Sequence, residues 1–339
     1  MSIKCLEQEN QPSLGSEASL RRSGPSGGST ARQEASVELI PLGDFTPAQT
    51  AHKLLDWLTA KSKISTDRLV MLGVLAGAFI AVGGAFFTGV MDVSSLGHGP
   101  SRLLGGVVFS CGLLLVCASG AELSTGNCLL ATAWATRRLT MADVGRNLAI
   151  SYIANAAGAL AFAMLIADSG LLQSEYGRTA AAIAEAKMNL GFGPAFVRGI
   201  LCNALVCVAV WMMVSARTIT SKLAGLIFPI SAFITLGFEH SIANFYLLTT
   251  GLLAHATGSL RAAVANLVAV TLGNLVGGIG VALAFWMAYL RRTHSESARP
   301  ANFSPNAAAS GHHQWQRRTN VWREVTSPAG EAKRARSEM

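Results

Sequence analysis

From Leu69 to Val90 the chain carries no charged side chain, and five more apolar runs follow before Leu290. A run of ~20 apolar residues is long enough to cross a bilayer as a helix. Hydrocarbon offers no partner to backbone N–H and C=O groups, so a helix that satisfies them internally is the form such a run must take. The other five lie between Arg102 and Arg137 and at Asn147–Ala167, Gly199–Ala216, Leu223–Leu253 and Ala262–Leu290. The expected fold is therefore an all-α integral membrane protein with six transmembrane helices, over residues 68–292. Composition agrees: 51% of the residues are hydrophobic and only 14% charged, which leaves too little polar surface for a soluble domain of this length.

The ends read differently. Residues 1–45, rich in Ser, Gly, Glu and Gln, and residues 293–339, polar and basic, lack apolar runs and are expected to be disordered tails. Residues 46–67 set Ala51, Leu54, Leu55 and Leu58 at helical spacing, with Trp57, Lys53, Lys61 and Lys63 alongside. That pattern suits an amphipathic helix at the membrane interface, or an ordinary solvated helix before the first span. Basic residues gather in alternate connections: Lys61, Lys63 and Arg68; Arg137, Arg138 and Arg146; Arg217 and Lys222; Arg291 and Arg292. The opposite loops hold the more dispersed Arg102, Arg178, Lys187, Arg198 and Arg261. By the positive-inside rule both termini are expected to be cytoplasmic. No basic stripe interleaved with aromatics suggests nucleic acid, and no Cys-x-x-Cys pair suggests a metal or disulfide framework, so no cofactor is expected.

Two of the apolar runs are interrupted by the same motif. Gly120-Ala-Glu-Leu-Ser-Thr-Gly-Asn127 lies in the second run and Gly237-Phe-Glu-His-Ser-Ile-Ala-Asn244 in the fifth. The third and sixth runs also correspond, Asn147, Asn155 and Gly158 answering Asn266, Asn274 and Gly277, and Gly73 answers Gly199. The order is the same in both halves, so residues of about 68–168 and 196–292 read as duplicates. With three spans each, the second copy enters from the opposite side. Inverted repeats with paired broken helices, helices 2 and 5 here, are an architecture of transporters and channels, aquaporin-like in outline, with the site near the midplane.

A charge at membrane depth costs ~2.5–3.5 kcal/mol on insertion scales unless it is paired or faces a wet cavity. Glu122, Asn127, Glu239 and Asn244 recur with Gly120 and Gly237 in both halves, and are most simply the scaffold that caps the broken helices. His240 departs from the repeat, because Leu123 stands in its place; Thr125 departs likewise, answered by Ile242. An imidazole beside a carboxylate in a break, able to titrate near neutral pH, is the strongest candidate for chemistry. Asn203 is a further polar side chain that could face a pore. Lys187 could attract anions from its outer connection.

At these residues the chain strongly resembles the formate/nitrite transporter family. The resemblance rests on residues 120–127, 199–212 and 237–244 and extends over about Thr46–Arg292. It implies a homopentamer in which each subunit has its own pore and no resident cofactor, in a bacterial inner (plasma) membrane. By position, Thr125 looks like the threonine of the family's mobile loop and His240 like its central pore histidine. Phe109, Leu113, Leu123 and Phe233 resemble the apolar constrictions, and Lys187 and Asn203 the lysine and asparagine near the substrate path. One departure is Ser124, where family members usually carry Phe.

The expected function is transmembrane transport of a small monovalent anion, formate or nitrite, linked to protons through His240. Hydrosulfide is an alternative substrate, and a neutral-solute channel of aquaporin type an alternative class. The breaks of the latter usually bear Asn-Pro-Ala, and neither break here contains proline. No nucleophile, zinc pair or paired aspartates of an intramembrane enzyme occur in the spans, so the chain does not read as an enzyme.

Overall fold

The computed structural model describes residues 43–291; the C-terminal tail, Arg292 and residues 1–42 of the expected N-terminal tail lie outside them, while Phe45, the last residue of that tail, donates its N–H to Ser215 O (2.9 Å). Eleven α-helices follow in order. They are α1 (Pro47–Lys61), α2 (Thr66–Val93), α3 (His98–Ser119), α4 (Ser124–Asn127), α5 (Leu130–Ala135) and α6 (Met141–Asp168). The second half repeats the series as α7 (Glu175–Met188), α8 (Phe192–Ser215), α9 (Ile219–Thr235), α10 (Ser241–Leu253) and α11 (Leu260–Phe285). Among the described residues, five helices are long and apolar enough to cross a membrane: α2, α3, α6, α8 and α11 with its continuation to Leu290. The fifth expected run is instead divided between the shorter α9 and α10.

The halves pack as the repeat requires. α2 crosses α3 and α6, α8 crosses α9 and α11, and α3 meets α9 between the halves. Close approach depends on paired glycines. A Cβ on Gly158 would collide with the carbonyl of Val74, and one on Gly277 with that of Ile200. These are equivalent positions in the two halves.

The repeat also reaches further back than the spans. α1 precedes α2 as α7 precedes α8, and α7 is a helix where a polar connection is the sequence expectation. Thr46 opens α1 with a capping box to Gln49, and Pro47 fits the first turn. The apolar stripe Ala51, Leu54, Leu55 and Leu58 is buried. Leu54 and Leu58 join Leu129, Leu130, Val210 and Val214 in one cluster, which ties α1 to α5 and α8.

Candidate functional site

Each break begins with a left-handed glycine. Gly120 (φ 68°) closes α3, and Gly237 (φ 70°) follows α9, a conformation that costs glycine little. The chain then runs extended through Leu123 or His240 before turning into α4 or α10. The backbone groups freed there are closed by one asparagine from the neighbouring long helix. Asn155 accepts from Ser124 N (2.9 Å) and donates to the carbonyls of Gly73 and Glu122 (both 2.8 Å). In the other half Asn274 accepts from Ser241 N (2.9 Å) and donates to Gly199 O (2.8 Å) and Glu239 O (2.9 Å).

The glutamates, expected as caps, meet side chains instead. Asn127 Nδ2 donates to Glu122 Oε2 and to Asn147 Oδ1, each at 2.8 Å, while Lys61 Nζ lies 3.2 Å from Glu122 Oε2 and 3.1 Å from Asn127 Oδ1. Asn244 Nδ2 donates to Glu239 Oε2 (2.7 Å) and Asn266 Oδ1 (2.8 Å), and Lys187 Nζ reaches both Glu239 oxygens (2.9 and 3.0 Å). Both carboxylates are nearly inaccessible, at 1% for Glu122 and 4% for Glu239, so each charge rests on its lysine. Lys61 is the residue that sequence reasoning missed as part of a site. Its signal was available: Lys61 precedes Gly73 by the same number of residues as Lys187 precedes Gly199.

Between the breaks lies the part that does not repeat. His240 caps α10, its Nδ1 accepting from Ala243 N (3.1 Å), and its Nε2 lies 3.1 Å from Thr125 Oγ1. A backbone N–H can only donate, so Nδ1 is the unprotonated nitrogen and Nε2–H donates to Thr125. Phe233 stacks on the imidazole at 6.1 Å between ring centroids, and Phe109 meets Phe233 edge-on at 5.7 Å. Phe109, Leu113, Leu123 and Phe233 are all buried, in one apolar cluster. Asn203 sits behind this plug, where Nδ2 donates to Thr125 O (3.2 Å) and Asn274 O (2.7 Å). It thus positions the Thr125 backbone. The repeat places Gly77 at the position equivalent to Asn203, so Asn203 is a third departure.

The plug separates two vestibules that share no lining residue. One is narrow and mostly apolar, lined by Trp57, Lys61, Leu113, Val116, Leu123 and Asn127 among others. The other, a cavity of about 320 Å³, is lined by His98, Arg102, Lys187, Arg198 and Glu239 with apolar neighbours. A third cavity, of about 300 Å³, lies to the side of the first break between α6 and α11, against Ser124, Thr125, Cys128, Tyr152 and Thr271. Ser124 lines it, and its buried hydroxyl has no partner among the described residues. A metal-binding group of three or more His, Cys, Asp or Glu does not occur among the described residues.

Comparison with known proteins places this geometry in a family. A family model described as formate/nitrite transporter matches residues 48–288. The chain is 34% identical over 273 residues to the formate channel FocA of Haemophilus influenzae, covering 74% of this chain and 96% of that one. It is also 34% identical over 267 residues to a probable formate transporter of Methanothermobacter thermautotrophicus, covering 73% and 97%. Among solved structures it is similar to a pentameric formate channel with formate bound (TM-score 0.61, 30% identity, 67% of this chain and 98% of that one). An FNT family ion channel matches with a TM-score of 0.65 at 26% identity, covering 70% and 98%.

Proposed function

Because the chain belongs to the formate/nitrite transporter family, we propose that it carries formate or nitrite across a membrane as a homopentamer, each subunit with its own pore. The protein is an integral membrane protein, and the excess of basic residues on the α1 side supports an orientation in a bacterial inner membrane with both termini cytoplasmic. The Lys61 vestibule then faces inward and the Lys187 vestibule outward.

The observation that carries the reading is a polar pair, His240 and Thr125, held against an apolar plug of Phe109, Leu113, Leu123 and Phe233, beside a cationic vestibule. A bare anion crossing such a plug loses its hydration without replacement, which is prohibitive, whereas its neutral acid is not so penalised. Lys187 and the neighbouring cations raise the local anion concentration. His240 then supplies the proton. Its Nδ1 is occupied in the cap, so the ring gives up the Nε2 proton to a substrate carboxylate or nitrite oxygen only as Nδ1 takes a proton from solvent and releases Ala243. The bond that positions the ring is the one a relay must open. Thr125 accepts from Nε2–H when no substrate is present, and Asn203 holds the Thr125 carbonyl in register.

Uptake of formate and nitrite into proteoliposomes of purified protein, followed over a pH series, tests this reading. Uptake is expected to rise as external pH falls, because the weak acid crosses with its proton. Osmotic water or glycerol flux without anion uptake would put the protein in the neutral-solute class instead.

A further inference from the structure

The Lys187 vestibule holds more cations than its break needs. Arg198 Nη1, from the first turns of α8, donates to the carbonyl of Gly237 at 3.3 Å. Arg102, from the start of α3, approaches the same glycine: a Cβ there would lie 3.0 Å from Arg102 Nη1 and 3.8 Å from Arg198 Nη1. One guanidinium from each half thus converges on a single left-handed glycine. Among the described residues Glu239 is the one carboxylate lining this cavity, and Lys187 occupies both of its oxygens. Among the described residues neither arginine forms an ion pair. Asp92, at the same end, accepts from Thr179.

The repeat shows that these arginines are not demanded by the fold. Glu239 N donates to the carbonyl of Arg198 (3.3 Å) as Glu122 N donates to that of Leu72 (3.1 Å), so Leu72 is the counterpart of Arg198. The register through Gly120 and Gly237 makes Ile219 the counterpart of Arg102. A break of the same design thus stands with a leucine and an isoleucine at these positions. Two like charges brought together repel, and an anion between them relieves that repulsion.

We propose that Arg102 and Arg198 form a two-guanidinium clamp for a planar monovalent anion with two oxygens on one atom, the formate and nitrite class, at the outer mouth of the pore. The inference rests on the transport reading and deepens it. Guanidinium groups present paired N–H donors that match two coplanar oxygens, a match a spherical anion such as hydrosulfide cannot make. The clamp therefore selects two-oxygen anions before Lys187 and the plug, and makes the outer side the high-affinity side.

The test uses full-length protein in vesicles sorted by orientation, with half-saturation for formate measured from each side. In the double variant Arg102→Ile/Arg198→Leu, half-saturation from the Lys187 side is expected to rise about tenfold, as two charge-assisted contacts are lost, and from the Lys61 side to stay as in the parent. Arg102→Lys/Arg198→Lys keeps the charge and guards against a folding artefact; its preference for formate over hydrosulfide is expected to fall. Unchanged half-saturation from the outer side, or an equal rise from both sides, overturns the clamp. A parent protein that moves no anion removes the transport reading, and the clamp with it.

Discussion

The two breaks are built from one plan and finished differently. In each, a lysine pairs with a buried glutamate, one asparagine bridges that glutamate to a second asparagine, and one further asparagine closes the backbone groups that hydrocarbon cannot. After the second break the chain resumes as α10, of 13 residues, behind a side-chain cap from His240. After the first, Leu123 offers no such cap, and α4 lasts 4 residues. What recurs is what a helix interruption requires in any setting. What departs is His240, Thr125 and Asn203 at the plug, with the two arginines in the outer vestibule. The lesson is that an inverted repeat is its own control: the copy shows which polar residues the architecture already explains.

The largest effect should come from the shared clamp. Asn155→Ala and Asn274→Ala each strand two backbone groups of a break, at roughly 1–3 kcal/mol apiece, and both should sharply reduce thermal stability of the detergent-solubilised protein. If one is tolerated while the other is not, the breaks are not equivalent scaffolds. Next are the ion pairs. Lys187→Met leaves Glu239 buried without a counter-charge, for a loss of roughly 3–5 kcal/mol. Lys61→Met should cost less, because Lys61 approaches one carboxylate oxygen where Lys187 engages two. The order of the two melting temperatures checks this. Smallest is a gain. Ser124→Phe fills part of the cavity of about 300 Å³ beside the first break and removes a hydroxyl without a partner, for an expected stabilisation of roughly 1–2 kcal/mol. A lowered melting temperature would mean that the serine is needed where it stands.

Much of this architecture is legible in the sequence, for a physical reason. A glycine, a carboxylate and an asparagine inside an apolar run are conspicuous because the membrane makes each of them costly unless it has a partner. The repeat then sorts scaffold from departure. Lys61 escapes such reading, since three lysines beside a tryptophan on an amphipathic helix look the same whether they reach lipid headgroups or a buried glutamate. Asn203 reads as a residue facing a pore, while its amide donates to the carbonyls of Thr125 and Asn274. Helical periodicity gives a residue's face but not the backbone atom opposite it. Arg102 and Arg198 read as scattered loop charges, because their meeting at Gly237 joins segments far apart in the chain.

The most direct test of the account is the pH dependence of formate flux in His240→Asn. Asparagine can still accept from Ala243 N and so keep the cap of α10, but it cannot take up and pass on a proton. The account predicts a folded, assembled protein whose formate uptake no longer rises as external pH falls. Uptake in His240→Asn with the parent's pH dependence would contradict it, and would leave His240 as a helix cap alone.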